Sequence, residues 1–159
     1  KIRILFSAHS LPVSIIKGGD PYQWQVQQTV QNIMKKLTGV EEHVLCYQSK
    51  VTPVKWLEPS TPDEIKRAIK DDVVIIVVPI AFVSDHSETL VELDIQYKNL
   101  AQEMGSKDYY RIEALNINEI FIEGLKDLVL GGQDTDTKNN ISSKICPKTF
   151  KECYHNYNE

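Results

Sequence analysis

The amino-acid sequence predicts an α/β fold, a doubly wound, Rossmann-like parallel sheet of four strands flanked by helices. Short β-branched or apolar runs alternate about four times with longer amphipathic stretches. The connections are long enough for the right-handed crossovers that parallel strands require. The run at 73–78 (VVIIVV) has no polar residue, which is typical of a central parallel strand covered on both faces. Because open parallel sheets bind ligands outside the carboxyl ends of their strands, the residues that follow each strand are the candidates for function.

Composition narrows the class of protein. The chain has 159 residues, 42% apolar and 25% charged, which suffices for one domain with a core. A net charge of -4 and the lack of a basic cluster argue against a nucleic-acid partner. The longest apolar stretch, 73–83, contains Pro79 and is too short to span a membrane, although a peripheral contact stays open. Three cysteines, an odd number, favour a reducing compartment over a disulfide framework.

The first strand is predicted at 2–6, which places His9 just past its carboxyl end. A helix should follow the Gly-Gly break, with Asp20 as its cap and Pro21 as its first residue. Apolar residues recur at helical spacing after Pro21, and Gly39 is the expected stop.

The second strand is predicted at 43–48. A long proline-containing segment follows, in which Trp56 and Leu57 look exposed. The sequence Thr-Pro-Asp-Glu at 61–64 is a capping box with proline in the first turn, so a helix should run from there to about Lys70.

After the central strand, a long helix is expected to open within 84–88 (SDHSE) and to end near Gly105. The fourth strand is predicted at 109–114. Asn116 and Glu119 have the spacing of a capping box that begins the last helix. The apolar residues of this helix should face inward, namely Ile120, Phe121, Gly124, Leu125 and Leu128.

Two regions follow from these elements. Residues 1–132 should form the folded domain, and residues 133–159 a polar linker followed by a tail that contains Cys146, Cys153 and His155. The chain starts at Lys1, one residue before a strand and without an initiator methionine, as expected for a fragment of a longer protein.

Three carboxylates, Asp85, Glu88 and Glu92, have spacings that place them on one face of a helix. Such a column could pass metal ions or protons inward. A structural interpretation stays open beside it, in which Asp85 is the N-cap, Glu88 its capping-box partner and Glu92 a solvated side chain.

His9 and Glu88 should meet at one crevice, since each follows the carboxyl end of a strand. Imidazole and carboxylate together suit ferrous iron and also accept protons near neutral pH. A purely structural histidine is the alternative for His9. His86 lies two residues from Glu88 and would point to another face of a regular helix, unless the helix is locally unwound, as in a π-bulge.

Four motifs carry a resemblance to a known family: LFSAHSLP at 5–12, GDPY at 19–22, YQSKVTPVKWLEP at 47–59 and PIAFVSDHSETLVELD at 79–94. Together they closely resemble the carboxyl-terminal half of ferrochelatases, which insert ferrous iron into protoporphyrin IX. The resemblance implies two similar Rossmann-like domains with the porphyrin between them. This chain would be the second, the carboxyl-terminal chelatase domain.

The resemblance also implies roles for individual residues. His9 would take pyrrole protons or bind the metal, and Glu88 would be its acidic partner on the opposite side of the macrocycle. Asp85, His86 and Glu92 would belong to a helix that carries a π-turn. The implied metal-binding set is His9, Glu88, His86, Asp85 and Glu92, and the implied porphyrin pocket includes Trp56, Phe82 and Ser84.

Metalation of a planar porphyrin requires bending the ring, removing two N–H protons and delivering a dehydrated metal, and a tight aromatic cleft can supply the bend. The implied partners are protoporphyrin IX, ferrous iron as substrate and the missing amino-terminal half. Many family members also bind a [2Fe-2S] cluster through three tail cysteines and one in the first half. Here only Cys146 and Cys153 are present in the tail, whereas such clusters normally need four ligands. Completion by His155 or by the missing half, and absence of a cluster, both stay open.

The resemblance leaves the activity and the compartment open. The chain could belong to a catalytically silent porphyrin- or metal-binding protein, or to a sister chelatase for cobalt or coproporphyrin. Localisation would be cytoplasmic in a bacterium, with or without contact to the inner membrane, and on the matrix side of the inner membrane in mitochondria. Homodimer formation occurs in part of the family and is not decided by the sequence.

Overall fold

The computed structural model of the chain describes residues 1–106, 108–131 and 146–153. The predicted linker at 133–140 and His155 lie outside the described residues. No helix in the described part of the chain is both long and apolar enough to cross a membrane.

The sheet has four parallel strands, as the sequence predicted, and their order is β2-β1-β3-β4. Its two inner strands are rich in apolar residues, which suits their position between two layers of helices. The strands are β1 (Ile2–His9), β2 (Glu42–Gln48), β3 (Val74–Pro79) and β4 (Tyr109–Arg111).

Helices lie on both faces of the sheet. In chain order they are α1 (Val13–Gly18), α2 (Tyr22–Met34), α3 (Thr61–Lys70), a π-helix (Glu88–Tyr97), α4 (Lys98–Glu103) and α5 (Glu119–Gly131). The short helix α1 was not predicted, because six residues are too few for a periodic apolar pattern to stand out.

Two apolar layers hold the sheet. Leu5, Ile75 and Leu93 belong to the larger one, beneath α3, the π-helix and α4. Phe6 and Val30 belong to the smaller one, beneath α2. The side chains of β3 alternate between buried and half-buried, so this strand is covered on both faces, as the sequence predicted.

Several boundaries differ from the predicted ones. Helix α2 ends at Met34, ahead of Gly39, and the Lys36 N–H bonds to the Ile33 carbonyl at 2.9 Å, a three-residue bond that tightens the last turn. Ser60 caps α3 by accepting the Asp63 N–H at 3.2 Å. Thr61, predicted as that cap, is buried instead. Leu57, predicted to be exposed, is buried in the apolar cluster beside Tyr47.

The last helix departs furthest from its prediction. Asn118, not Asn116, caps it, since the Asn118 Oδ1 accepts the N–H groups of Ile120 and Phe121. The apolar residues expected to face inward are largely exposed, and Ile120 is 84% exposed. Among the described residues, the apolar side chains that α5 and the segment before it present to solvent are Ile112, Leu115, Ile117, Ile120, Ile122, Leu125, Leu128, Val129 and Leu130.

Candidate functional site

The fold brings His9 and Glu88 together. His9 is the last residue of β1, and Glu88 is the first residue of the π-helix that follows the neighbouring strand β3. The His9 Nε2 lies 3.2 Å from the Glu88 Oε1. Their side chains are 36% and 38% exposed, so the pair is accessible to a substrate while most of its surface is packed.

The His9 Nε2 and the Glu88 Oε1 are closer than a flat ring between them would allow, since a ring needs about 7 Å of separation, one van der Waals contact on each face. In this structure the two groups contact each other directly at 3.2 Å, because they occupy adjacent positions on one sheet edge. The implied placement of Glu88 on the opposite side of a macrocycle stays a prediction.

The orientation of His9 determines what the pair can do. The His9 Nδ1 lies 2.7 Å from the Ser10 carbonyl oxygen, which only accepts hydrogen bonds, so Nδ1 carries a proton. The Nε2 faces a carboxyl oxygen that is also an acceptor when ionised, so their contact requires one shared proton. Tyr22 donates its hydroxyl to the His9 carbonyl at 2.9 Å, and burial raises the pKa of Tyr22 to about 12, which keeps this donor protonated.

His86 contacts the second oxygen of Glu88. Its Nδ1 lies 3.0 Å from the Glu88 Oε2 and 3.2 Å from the Glu88 backbone N–H, which donates to it. The expected departure from a regular α-helix is confirmed, because residues Glu88–Tyr97 form a π-helix. The placement of His86 within that helix is wrong: it precedes the first turn, and for that reason it can reach Glu88.

Asp85 does not join Glu88 in a column of carboxylates. It lies in the irregular segment ahead of the helix, and its oxygens take hydrogen bonds from Arg111 at 2.8 Å, Asn116 at 2.9 Å and Thr89 at 3.0 Å. These bonds lower the pKa of Asp85, with the bond from Asn116 as the largest cause. Asp85 therefore holds the chain in place and has no oxygen directed at Glu88.

Glu92 lies one turn further along the π-helix, at the outer end of the site. Its Oε2 accepts hydrogen bonds from Gln48 Nε2 at 3.1 Å, Ser49 Oγ at 2.9 Å and Tyr97 OH at 3.3 Å. Three donors therefore converge on one oxygen of Glu92 and hold this side chain next to the turn that carries Glu88.

The three predicted pocket residues are distributed around this pair. Phe82 packs on His86 with ring centroids 4.8 Å apart. Trp56 bridges to Pro12, just after His9 in the chain, and donates its indole N–H to the Thr52 carbonyl at 2.8 Å. Ser84 is exposed in the turn before Asp85.

No group of three or more His, Cys, Asp or Glu side chains within the described ranges is arranged to hold a metal ion. His9, Glu88 and His86 are nonetheless adjacent, since one carboxyl bridges the two imidazoles. Imidazole nitrogen and carboxylate oxygen can each bind a proton, and each can also serve as a ligand of divalent iron.

The described residues do not fit a [2Fe-2S] cluster. Burial raises the pKa of Cys146, and hydrogen bonding with Cys153 raises it further, so these two thiols are adjacent. Cys46 is fully buried in the core, where burial raises its pKa to about 12 and keeps it a neutral thiol. Two neighbouring thiols are half of the four ligands that such a cluster normally requires.

Some residues of the site were not predicted from the sequence. Gln48 bonds to both Glu88 and Glu92, Arg111 holds Asp85, and Tyr22 holds the His9 carbonyl. Gln48 could have been found, because it ends β2 at the same sheet edge as His9. Arg111 and Tyr22 act through tertiary contacts that leave no local pattern in the sequence.

Comparisons with known proteins place the chain in a family. A family model described as ferrochelatase matches residues 1–132. The curated ferrochelatase of Pelagibacter ubique is 48% identical over 155 residues, which is 95% of this chain and 45% of that protein. The ferrochelatase of Rickettsia conorii is 48% identical over 156 residues, 95% of this chain and 45% of that protein. That of a Wolbachia species is 53% identical over 131 residues, 82% of this chain and 38% of that protein. The chain thus spans about half the length of the curated relatives it matches.

Proposed function

Because the chain belongs to the ferrochelatase family, we propose that the protein of which it is a part inserts ferrous iron into protoporphyrin IX to form haem. The observation that carries this proposal is the contact of His9 and Glu88 at the carboxyl edge of the sheet. Haem formation replaces two pyrrole N–H protons by one iron dication, so the site must accept protons and tolerate a cation at the same place.

His9 is the proposed proton acceptor. Its Nδ1–H bond to the Ser10 carbonyl leaves Nε2 as the basic nitrogen. The proton that Nε2 and Glu88 share must first leave the pair, and the Glu88 side chain, which is 38% exposed, can release it to solvent. Nε2 can then take a pyrrole proton, and the Glu88 carboxylate stabilises the charge that develops on the imidazole. The second pyrrole proton can leave by the same route once the pair has released the first.

Metal approach is proposed along the π-helix. Glu92 and Glu88 are four residues apart on this helix, and Glu92 is held by three hydrogen-bond donors next to a surface opening lined by Ser49 and Tyr97. A ferrous ion would first meet the Glu92 carboxylate and then Glu88 with its two neighbouring imidazoles. The second site offers nitrogen ligands in addition to oxygen, which suits a ferrous ion that is losing its bound water. His9, Glu88, His86 and Glu92 are the proposed metal-contacting residues. Asp85 is left out of this set because Arg111 neutralises it.

The porphyrin is proposed to lie against Phe82, Trp56 and Ser84, with its other face covered by an amino-terminal half. The relatives are about twice as long as this chain, and the apolar residues exposed on and before α5 offer a surface for additional chain. We assign residues 1–132 to the carboxyl-terminal chelatase domain and residues 133–159 to a linker and tail. The three relatives come from bacteria, which favours the cytoplasmic alternative for localisation.

A metalation assay on the complete protein tests the proposal. Anaerobic incubation with protoporphyrin IX and ferrous iron should produce the haem absorption spectrum, with turnover that depends on enzyme concentration. Parallel reactions with cobalt and with coproporphyrin distinguish a sister chelatase. Absence of turnover on every tetrapyrrole, together with saturable porphyrin binding, would replace the enzyme by a silent porphyrin-binding protein.

A further inference from the structure

We propose that Gln48 is a positioning residue that sets the distance between His9 and Glu88. The expected effect of Gln48 on turnover rests on the proposed function. The expected effect on the contact between the His9 and Glu88 side chains does not.

Gln48 is attached to the His9 side of the site through its backbone. It is the last residue of β2 and the register partner of His9 in the β1–β2 ladder. Its carbonyl accepts the Ser10 N–H at 2.9 Å, just beyond the end of β1. The main chain of Gln48 therefore fixes the strand end from which His9 projects.

The side chain of Gln48 is attached to the Glu88 side. Its Nε2 donates to the Glu88 carbonyl at 2.8 Å and to the Glu92 Oε2 at 3.1 Å. Its Oε1 accepts the Ser7 hydroxyl at 2.8 Å. The Glu88 carbonyl only accepts hydrogen bonds, and this determines which end of the amide is the donor. The residue is 1% exposed, so water does not replace these partners if they are lost.

One amide thus links the strand that carries His9 to the helix that carries Glu88. The link matters because a π-helix is rare and occurs mostly as a single turn, so a ten-residue π-helix needs support from outside itself. The Glu88 carbonyl belongs to its first turn. Holding that carbonyl fixes the direction in which the Glu88 side chain leaves the helix, toward His9.

Two substitutions in the complete protein test this role. Gln48→Met keeps the size of the side chain and removes all three side-chain hydrogen bonds. Gln48→Glu keeps the acceptor for Ser7, loses the donors when ionised and regains one donor when protonated. Gln27→Glu, at an exposed position of α2, is the matched control for adding the same charge.

With Gln48→Met we expect kcat for metalation to fall about 10- to 100-fold, the range found when supporting partners of functional groups are removed. The KM for porphyrin should change less than about threefold, because Gln48 lies behind the pair and not against the substrate. Amide hydrogen exchange at residues 89–93 should accelerate, while the four strands keep their protection. Hydrogen exchange is measured without turnover, so it tests the positioning role of Gln48 even if the protein is inactive. A lack of activity in the unchanged protein would count against the proposed function alone.

With Gln48→Glu we also expect a lower kcat and faster exchange at residues 89–93, because the ionised side chain loses both donors and repels Glu92. Gln27→Glu should leave kcat and this exchange unchanged. If Gln48→Met does not fold, Gln48→Glu decides by the same two measurements. Unchanged exchange at 89–93, or unchanged kcat, in the folded Gln48 variant would overturn the inference.

Discussion

The Nη1 of Arg111 lies 2.8 Å from the Oδ1 of Asp85, and this ion pair ties the end of β4 to the segment that carries His86. Arg111 also donates to both oxygens of Asp94 in the π-helix. One buried guanidinium thus holds the chain on either side of Glu88. The site is therefore supported by a cation that takes no part in its chemistry.

Removing this cation should be costly to stability. Arg111→Met leaves Asp85 and Asp94 without their common partner, and breaking a buried pair in this way costs about 3 kcal/mol of unfolding free energy. Urea denaturation of the unchanged and substituted proteins measures the difference. Lys66→Met is the control, because the Lys66 side chain is 50% exposed, that of its partner Asp63 is 69% exposed, and the loss of this pair should cost less than about 1 kcal/mol. Equal effects of the two substitutions would contradict the assigned role of Arg111.

Asp85 should make the stability depend on pH in one direction. Its folded-state pKa is lowered by Asn116, Thr89 and Arg111, so the ionised form is favoured by folding. The resulting stability is present above the unfolded-state pKa of about 3.9 and is lost as the pH falls through the lower folded-state value. Asp85→Asn should therefore be less stable than the unchanged protein at pH 7, and the gap should narrow under acid conditions. Denaturation curves measured from pH 7 down to acid pH check the trend. A difference in unfolding free energy that widens in acid would refute it.

The site pair itself is tested by a double-mutant cycle. His9→Ala and Glu88→Gln should each lower turnover by about 100-fold or more, because each removes one member of a shared-proton contact. The double variant should be little worse than either single variant, since the two residues act as a unit. His43→Ala is the control, an exposed histidine near the start of β2 and so at the opposite edge of the sheet. Multiplicative losses in the double variant would show that the two side chains work separately.

The sequence predicted the sheet and the meeting of His9 with Glu88 because both depend on patterns along the chain. Apolar runs locate parallel strands, and the ends of such strands share one edge. It did not predict that Asp85 turns away to Arg111, since that choice depends on a residue 26 positions later. Helical spacing also gave a wrong prediction for Asp85 and His86. Residues three or four apart share a face only inside a helix, and these two residues lie before the π-helix, which begins at Glu88.

Attachment of the tail gives the last prediction. Residues 146–153 lie against the Gly19 turn, where the Glu152 N–H donates to the Gly19 carbonyl at 3.2 Å. Gly19 has a φ of 109°, and a Cβ at this position would lie 2.9 Å from the Lys151 backbone nitrogen. Gly19→Ala should therefore both strain the turn, at about 1 to 2 kcal/mol, and push the tail away.

Displacement of the tail should expose Cys146, which is buried beside Gln25 of α2. We expect its alkylation by iodoacetamide, followed by peptide mass spectrometry, to accelerate about tenfold or more in Gly19→Ala, because a thiol released from burial ionises more readily. Cys46 should stay unreactive in the core and report that the domain remains folded. Gly18→Ala is the matched control, since nothing lies within 4 Å of a Cβ there. If both alanine variants leave Cys146 equally protected, the close approach at Gly19 does not hold the tail in place.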